Sequence, residues 1–229
     1  MSRFTAPSPP RTVARGLIGC IAILLVATGL MTQMGCLGLV ANLAHAVGAD
    51  KIPAEYKGLQ SQKVAVITFS DASPFGEDRS ARSLSDSVSE ILSREVKGIE
   101  LIRPETIDDW RDRNGWDQAD FAEIGRGVGA AKVVGIELTG LRLREGPNLY
   151  RGHADVTVQV IDIESGSREY QKTLEDYTFP RNAAQDSAGI SETKFRRLYL
   201  GMLARQVARA FHAFDMSEDF ALDSKFGTF

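Results

Sequence analysis

Three groups of residues carry side chains able to do chemistry. His153 and Asp155 stand at alternate positions of one extended run, with Glu137 on the run expected beside it. An imidazole and carboxylates on one sheet face can exchange protons or hold a metal. A metal site would add a further His or Cys ligand, and none is evident, so a solvated face or an ion pair with Arg142 or Arg151 is the stronger expectation. Ser70, Asp71 and Ser73 follow the first expected strand, the place where α/β sheets bind ligands, although Ser and Asp are also ordinary turn residues. Gly125, Gly127 and Gly129, in IGRGVGAAKVV, raise a third possibility, a phosphate-cradling loop.

The order of elements decides the third case. A dinucleotide fingerprint runs strand, glycines, helix N-terminus, because only there do free N–H groups and the positive dipole end meet phosphate. Here a helical pattern comes first and the apolar run AKVVGIELTG follows. A helix C-terminus offers carbonyls and the negative dipole end, and G-x-G-x-G is not G-x-G-x-x-G. Gly127 or Gly129 is therefore expected as a left-handed C-cap, the others as points of close helix–strand approach. No G-x-S-x-G or P-loop pattern occurs. No cofactor, metal or catalytic set is expected. Trp110 and Trp116 flank a turn and suit an interface anchor or packing under the loop. His212 borders an apolar stripe and reads as an interface residue.

Charge is unevenly spread. Residues 1–49 carry only Arg3, Arg11 and Arg15, whereas residues 50–229 hold 24 Lys and Arg against 30 Asp and Glu. An acidic main part excludes nucleic acid as its principal partner. Both cysteines, Cys20 and Cys36, lie in the N-terminal apolar stretch, so the rest has no disulfide, thiol nucleophile or Cys-type zinc site. From Gly16 to Gly48 there is no Asp, Glu, Lys or Arg, and arginines precede the stretch. That is the order of a signal peptide or membrane anchor with a cytoplasmic N-terminus. Three fates compete: lipidation at Cys36 after Met34-Gly35, an uncleaved span, and cleavage after Ala44-His45-Ala46. Gly35 suits the first, while Gln33 stands where lipoprotein signals usually have Leu. The reading adopted is residues 1–36 as signal or anchor, 37–62 as tether, 63–215 as the folded domain, and 216–229 as an irregular tail.

The elements follow from periodicity. KVAVITFS, 63–70, is a short apolar run that fits a strand covered on both faces. Leu84, Val88, Ile91, Leu92 and Val96 mark a helix over 79–97, IELIR a second strand over 99–103, and Pro104 the start of a helix to Asn114-Gly115. Asp117 is expected to cap a short helix, with Asp120 three residues on. Residues 132–143, 149–163 and 168–179 form a meander with turns at 145–148 and 164–167. Residues 180–191 form a polar loop. A final helix carries Phe195, Leu198, Tyr199, Met202, Leu203, Val207, Ala210, Phe211 and Phe214 as a core stripe. The order β-α-β-α-α-β-β-β-α predicts an α/β fold. It has one mixed sheet of about five strands and helices on both faces, preceded by an N-terminal hydrophobic helix.

This order and its phrasing resemble a group of bacterial envelope domains. They are the N-terminal domain of the Tol-system propeller protein, the curli-secretion lipoprotein, and the outer-membrane lipoprotein activators of peptidoglycan synthases. The likeness rests on KVAVITFSD, IELIRPETIDDW, IGRGVGAAKVVGIELTG and VTVQVIDIESGSREY, and covers roughly residues 63–178. The whole chain is similar to planctomycete lipoproteins through ANLAHAVGADKIPAEYKGL, NGWDQADFAEIGRGVGA and LYRG. The resemblance transfers no catalytic residue. It implies the periplasmic side of the cell envelope, an anchor to the membrane, and binding to an envelope protein or to further copies of the chain. Two other readings stand beside it: a small-ligand or nucleotide domain using the loop after the first strand, and a subunit of an envelope secretion complex.

Overall fold

KVAVITFS forms strand β1, Lys63–Ser70, buried without a break from Val64 to Thr68. Such an unbroken run requires cover on both faces. The computed structural model describes residues 51–72, 78–115, 120–181 and 184–215. Residues 1–50, with Cys20, Cys36 and the expected hydrophobic helix, then Ser73, Trp116, Asp117 and the segment 216–229, lie outside the described residues.

Helix α1, Arg79–Glu95, starts where the Asp78 carboxylate accepts from Ser80 N at 2.7 Å, and it buries Leu84, Val88 and Leu92. Strand β2 is only Glu100–Leu101, shorter than expected, and pairs parallel with β1. Helix α2, Pro104–Asn114, has its proline in the first turn, where the missing N–H costs nothing. Helix α3, Phe121–Gly127, is capped by Asp120, whose side chain accepts from Glu123 N at 2.7 Å. The expected cap at Asp117 is thus replaced by the residue three places on, which brings its carboxylate onto the free N–H groups of the first turn.

The glycine triplet ends α3. Ala130 N donates to Gly125 O and Gly129 N to Arg126 O, with Gly129 at φ +69°. This is the Schellman arrangement, in which a left-handed residue lets two late carbonyls find donors. A side chain on Gly125 would strike Val133 and Ile163, and one on Gly127 would strike the Trp110 indole. The triplet serves packing.

Strand β3, Lys132–Arg144, pairs parallel with β1 and antiparallel with β4, Leu149–Asp162. Strand β5, Arg168–Phe179, closes the meander. Within the expected polar loop 180–191 lies a two-residue strand β6, Gln185–Asp186, paired with the start of β4. Helix α4 spans Glu192–Ala208. The sheet order is β2-β1-β3-β4-β5. On one face α1 and α4 cover Val64, Val66, Val134, Ile136, Leu138, Val156 and Val158. On the other, α2 and α3 cover Ala65, Ile67 and Val133.

Residues 51–62, expected as part of the tether, make contacts with the domain. Ile52 and Phe214 exchange backbone hydrogen bonds of 2.8 and 3.0 Å, Tyr56 N donates to Ala210 O at 2.8 Å, and Leu59 is 1% exposed. Residues 51–62 are therefore part of the fold. Phe214 lies in this bridge and not in the last helix, which stops at Ala208.

Gly201 has no internal cause. It sits mid-helix in α4, and a Cβ there would meet nothing within 4 Å. Glycine costs a helix interior about 1 kcal/mol relative to alanine. Gly201→Ala is expected to raise stability by about 0.5–1 kcal/mol, read as a thermal midpoint higher by roughly 1–4 °C.

Candidate interaction surface

Successive side chains of β4 point to opposite faces. Ala154, Val156, Val158 and Val160 enter the core under α1 and α4, so His153, Asp155, Thr157 and Gln159 face the other way. Helices α2 and α3 cover that second face at β1 and at the ends of β3 and β4 nearest Val133 and Ile161. Over the rest of β3–β5 it carries Thr139, Asp155 and Thr173 as exposed residues. The Thr157 and Thr173 hydroxyls meet at 3.1 Å across β4 and β5.

Two irregularities in strand pairing line up on this face, each held by a carboxylate from the neighbouring element. The Asp71 carboxylate accepts from Gly140 N at 2.9 Å, where Gly140 has φ +63° and the β3–β4 register slips between Thr139 and Arg142. The Asp155 carboxylate accepts from Asp176 N at 2.7 Å, with Asp176 at φ +43° and the β4–β5 register slipping between Ala154 and Val156. Register slips of this kind bend and twist a sheet locally. His153 Nδ1 lies 2.8 Å from Asp176 Oδ1 and 3.0 Å from Thr178 Oγ1, whose hydroxyl donates to Asp176 O. A carboxylate only accepts, so Nδ1 carries the proton. Asp155→Ala is expected to lower stability by about 0.5–1 kcal/mol, the net worth of one exposed hydrogen bond whose donor water can reclaim, measured by urea unfolding. Asp155→Asn keeps an acceptor and should lose less than half of that.

The expected chemical groups are thereby redistributed. Asp71 and the His153–Asp155 pair reach the same face. Glu137 does not join His153: it lies opposite Thr157 and accepts from Gln159 Nε2 at 3.2 Å. The ion pairs expected from Arg142 or Arg151 are corrected. Arg142 stands opposite His153 in register, but the partner of His153 is Asp176, because the bulge turns that carboxylate towards the ring. Arg151 binds Glu145 at 3.3 Å and the carbonyls of Pro180 and Arg181. Ser70 Oγ accepts from Ala72 N at 3.2 Å within the turn. Trp110 packs with α3 in the second core. His212 Nδ1 is 3.0 Å from Ala213 O and 4.0 Å from Glu95.

A cluster at the opposite end of the sheet has no counterpart among the expected residues. Lys132, 8% exposed, places its ammonium 2.9 Å from Asp162 and 2.7 Å from Glu169. Tyr56, from the segment before β1, donates to Glu169. Burial pulls the Lys132 ammonium down, but the bonds to Glu169 and Asp162 outweigh it and leave it raised. Burial, then the bond to Glu169, pushes the Tyr56 phenol up to about 12. The Ser165 N–H, then Lys132, holds Asp162 well below the usual carboxylate range. The only sequence signal was a lysine opening the apolar run KVVGIEL.

No family model and no curated protein matches the chain. Solved structures do. A PelC dodecamer from Paraburkholderia phytofirmans has 16% identity over 71% of this chain and 94% of that one, with a TM-score of 0.41. The lipoprotein GNA1162 of Neisseria meningitidis has 12% identity over 64% and 94%, TM-score 0.41. The C-terminal domain of LpoB from Salmonella enterica has 12% identity over 51% and 84%, TM-score 0.34.

Proposed function

We propose that this protein is a non-enzymatic module of the bacterial cell envelope, anchored by its N-terminal segment and binding another envelope protein through the open face of β3–β5. One observation carries the reading. The polar groups of that face are engaged in shaping backbone: Asp71 and Asp155 hold bulges, and His153 is tied to Asp176 and Thr178. A proton-transfer set needs a group free to reach substrate, whereas a rigid, bent polar sheet suits recognition of a matching surface. The anchor rests on the sequence alone, on the uncharged stretch from Gly16 to Gly48 and on Cys36.

Two measurements test the two halves. Lipid labelling with fractionation should show label in the membrane fraction for the wild type and none for Cys36→Ala; label surviving the substitution rejects Cys36 as the acylated residue. A photo-reactive residue at Thr173 should give a discrete protein adduct in living cells, and one at Glu105, on α2, should not. Adducts at Glu105 alone would place the partner elsewhere and overturn the sheet-face assignment.

A further inference from the structure

Helix α4 presents a row of cations that the fold leaves unused. Lys194, Arg197 and Arg205 are exposed and lie on one outward stripe with Gly201, at spacings of three and four residues. Other cations nearby are occupied: Arg196 binds Glu192 and Ser80, and Arg209 binds Gln206 and stacks on Phe214. Among the described residues Lys194, Arg197 and Arg205 have no carboxylate partner. Three unpaired cations in a row are unexpected in a part of the chain with six more acidic than basic residues. In the middle of the row sits Gly201, where a side chain would stand in open space.

We infer that the Lys194–Arg197–Gly201–Arg205 stripe docks an acidic polypeptide segment of a partner protein, which crosses α4 at Gly201. Two independent features point there. The unpaired charge specifies an anionic occupant. The missing side chain specifies one whose backbone comes close, because small residues at a crossing point let two backbones approach. An anionic bilayer satisfies only the first. The apolar side of α4 (Phe195, Tyr199, Leu203, Val207) is buried in the core, so nothing is left to insert. Three cations in a line about 17 Å long, each contributing roughly fivefold at an anionic surface, make a weak membrane contact, and a bilayer has no use for the glycine.

Binding is measured on the full chain in non-ionic detergent, by anisotropy of a fluorescein-labelled 20-residue Glu–Ala peptide and its Gln–Ala counterpart. The Glu–Ala peptide should bind at least tenfold tighter. Arg197→Glu with Arg205→Glu should weaken it at least tenfold. Gly201→Leu should weaken it at least fivefold without lowering the melting temperature, which separates blocked docking from unfolding. Arg113→Glu with Arg168→Glu, on other surfaces, should change it less than twofold. Failure of the Glu–Ala peptide to bind, or an equal loss from the control pair, overturns the proposal. So does an Arg197→Glu, Arg205→Glu variant that loses phosphatidylglycerol vesicles while keeping the peptide. Peptide binding seen only when the chain is ended at Asp215 would make residues 216–229 the occupant and overturn it too. Crosslinking at Thr173 is unaffected by any of these outcomes, so the sheet-face reading stands or falls separately.

Discussion

Lys132→Met should destabilise the protein by about 2–3 kcal/mol, measured by urea unfolding at neutral pH. Methionine nearly preserves the length and packing of the lysine stem, so the loss reports on the ammonium. That group joins β3 to Asp162 of β4 and Glu169 of β5, and through Glu169 to Tyr56 of the segment before β1. Removing one partner of a buried ion pair costs about 3–5 kcal/mol where the other charge is stranded. Here the Asp162 and Glu169 side chains are 23% and 35% exposed, so water recovers part of the loss and the expectation is lower. The same cluster fixes a pH dependence. The Ser165 N–H and Lys132 lower Asp162, and Lys132 and then Tyr56 lower Glu169. Carboxylates with a lowered folded pKa contribute stability that is complete above their unfolded value, about 4, and lost as pH falls through the folded value. Wild-type stability should therefore decline on acidification below about pH 5, and Lys132→Met should flatten that decline. A variant as acid-sensitive as the wild type would show that other carboxylates carry the effect.

The sheet and its helices were legible because each is written in a local period. The unbroken run 63–70, the alternation in 149–162 and the helical stripe of α1 each allow one element, and the structure places them within two residues of expectation. The glycine triplet was legible for a different reason: its place after a helix excluded phosphate and required a C-cap, which Gly129 supplies. What was illegible depends on contacts between distant residues. Asp71 follows β1 yet holds Gly140, 69 positions on; no spacing rule links them. Asp176 becomes the partner of His153 because a bulge shifts β5 by one residue relative to β4, and a bulge leaves no periodic trace when the run around it stays alternately polar. Residues 51–62 read as tether because AEYKGLQSQK is polar, but their backbone pairs with Ala210 and Phe214, just beyond α4. That pairing is set by where α4 stops, which composition does not encode.

Gly152→Ala should be strongly destabilising, at about 2–4 kcal/mol. Gly152 lies on β4 opposite Phe179, and a Cβ there would strike the Tyr199 ring, closer than real side chains tolerate. Tyr199 cannot step aside. It is 0% exposed, and its hydroxyl donates to Tyr177 O at 2.8 Å. One turn before it on α4, Phe195 is stacked on Tyr150 with centroids 5.2 Å apart. The added methyl must either lift α4 from the sheet or rotate Tyr199 and orphan a buried hydroxyl. Overpacking costs about 1–3 kcal/mol, and the broken bond about 1 more. The substitution can be set against Gly201→Ala on the same protein. The chemistry is identical and the expected sign opposite, since Gly201 faces open space and Gly152 faces an aromatic ring. Combining Gly152→Ala with Tyr199→Leu should recover part of the loss, because the two sites touch and cannot be additive. Additive effects of Gly152→Ala and Tyr199→Leu would mean that α4 does not rest on β4 through Tyr199, and the register of the last helix on the sheet would have to be redrawn.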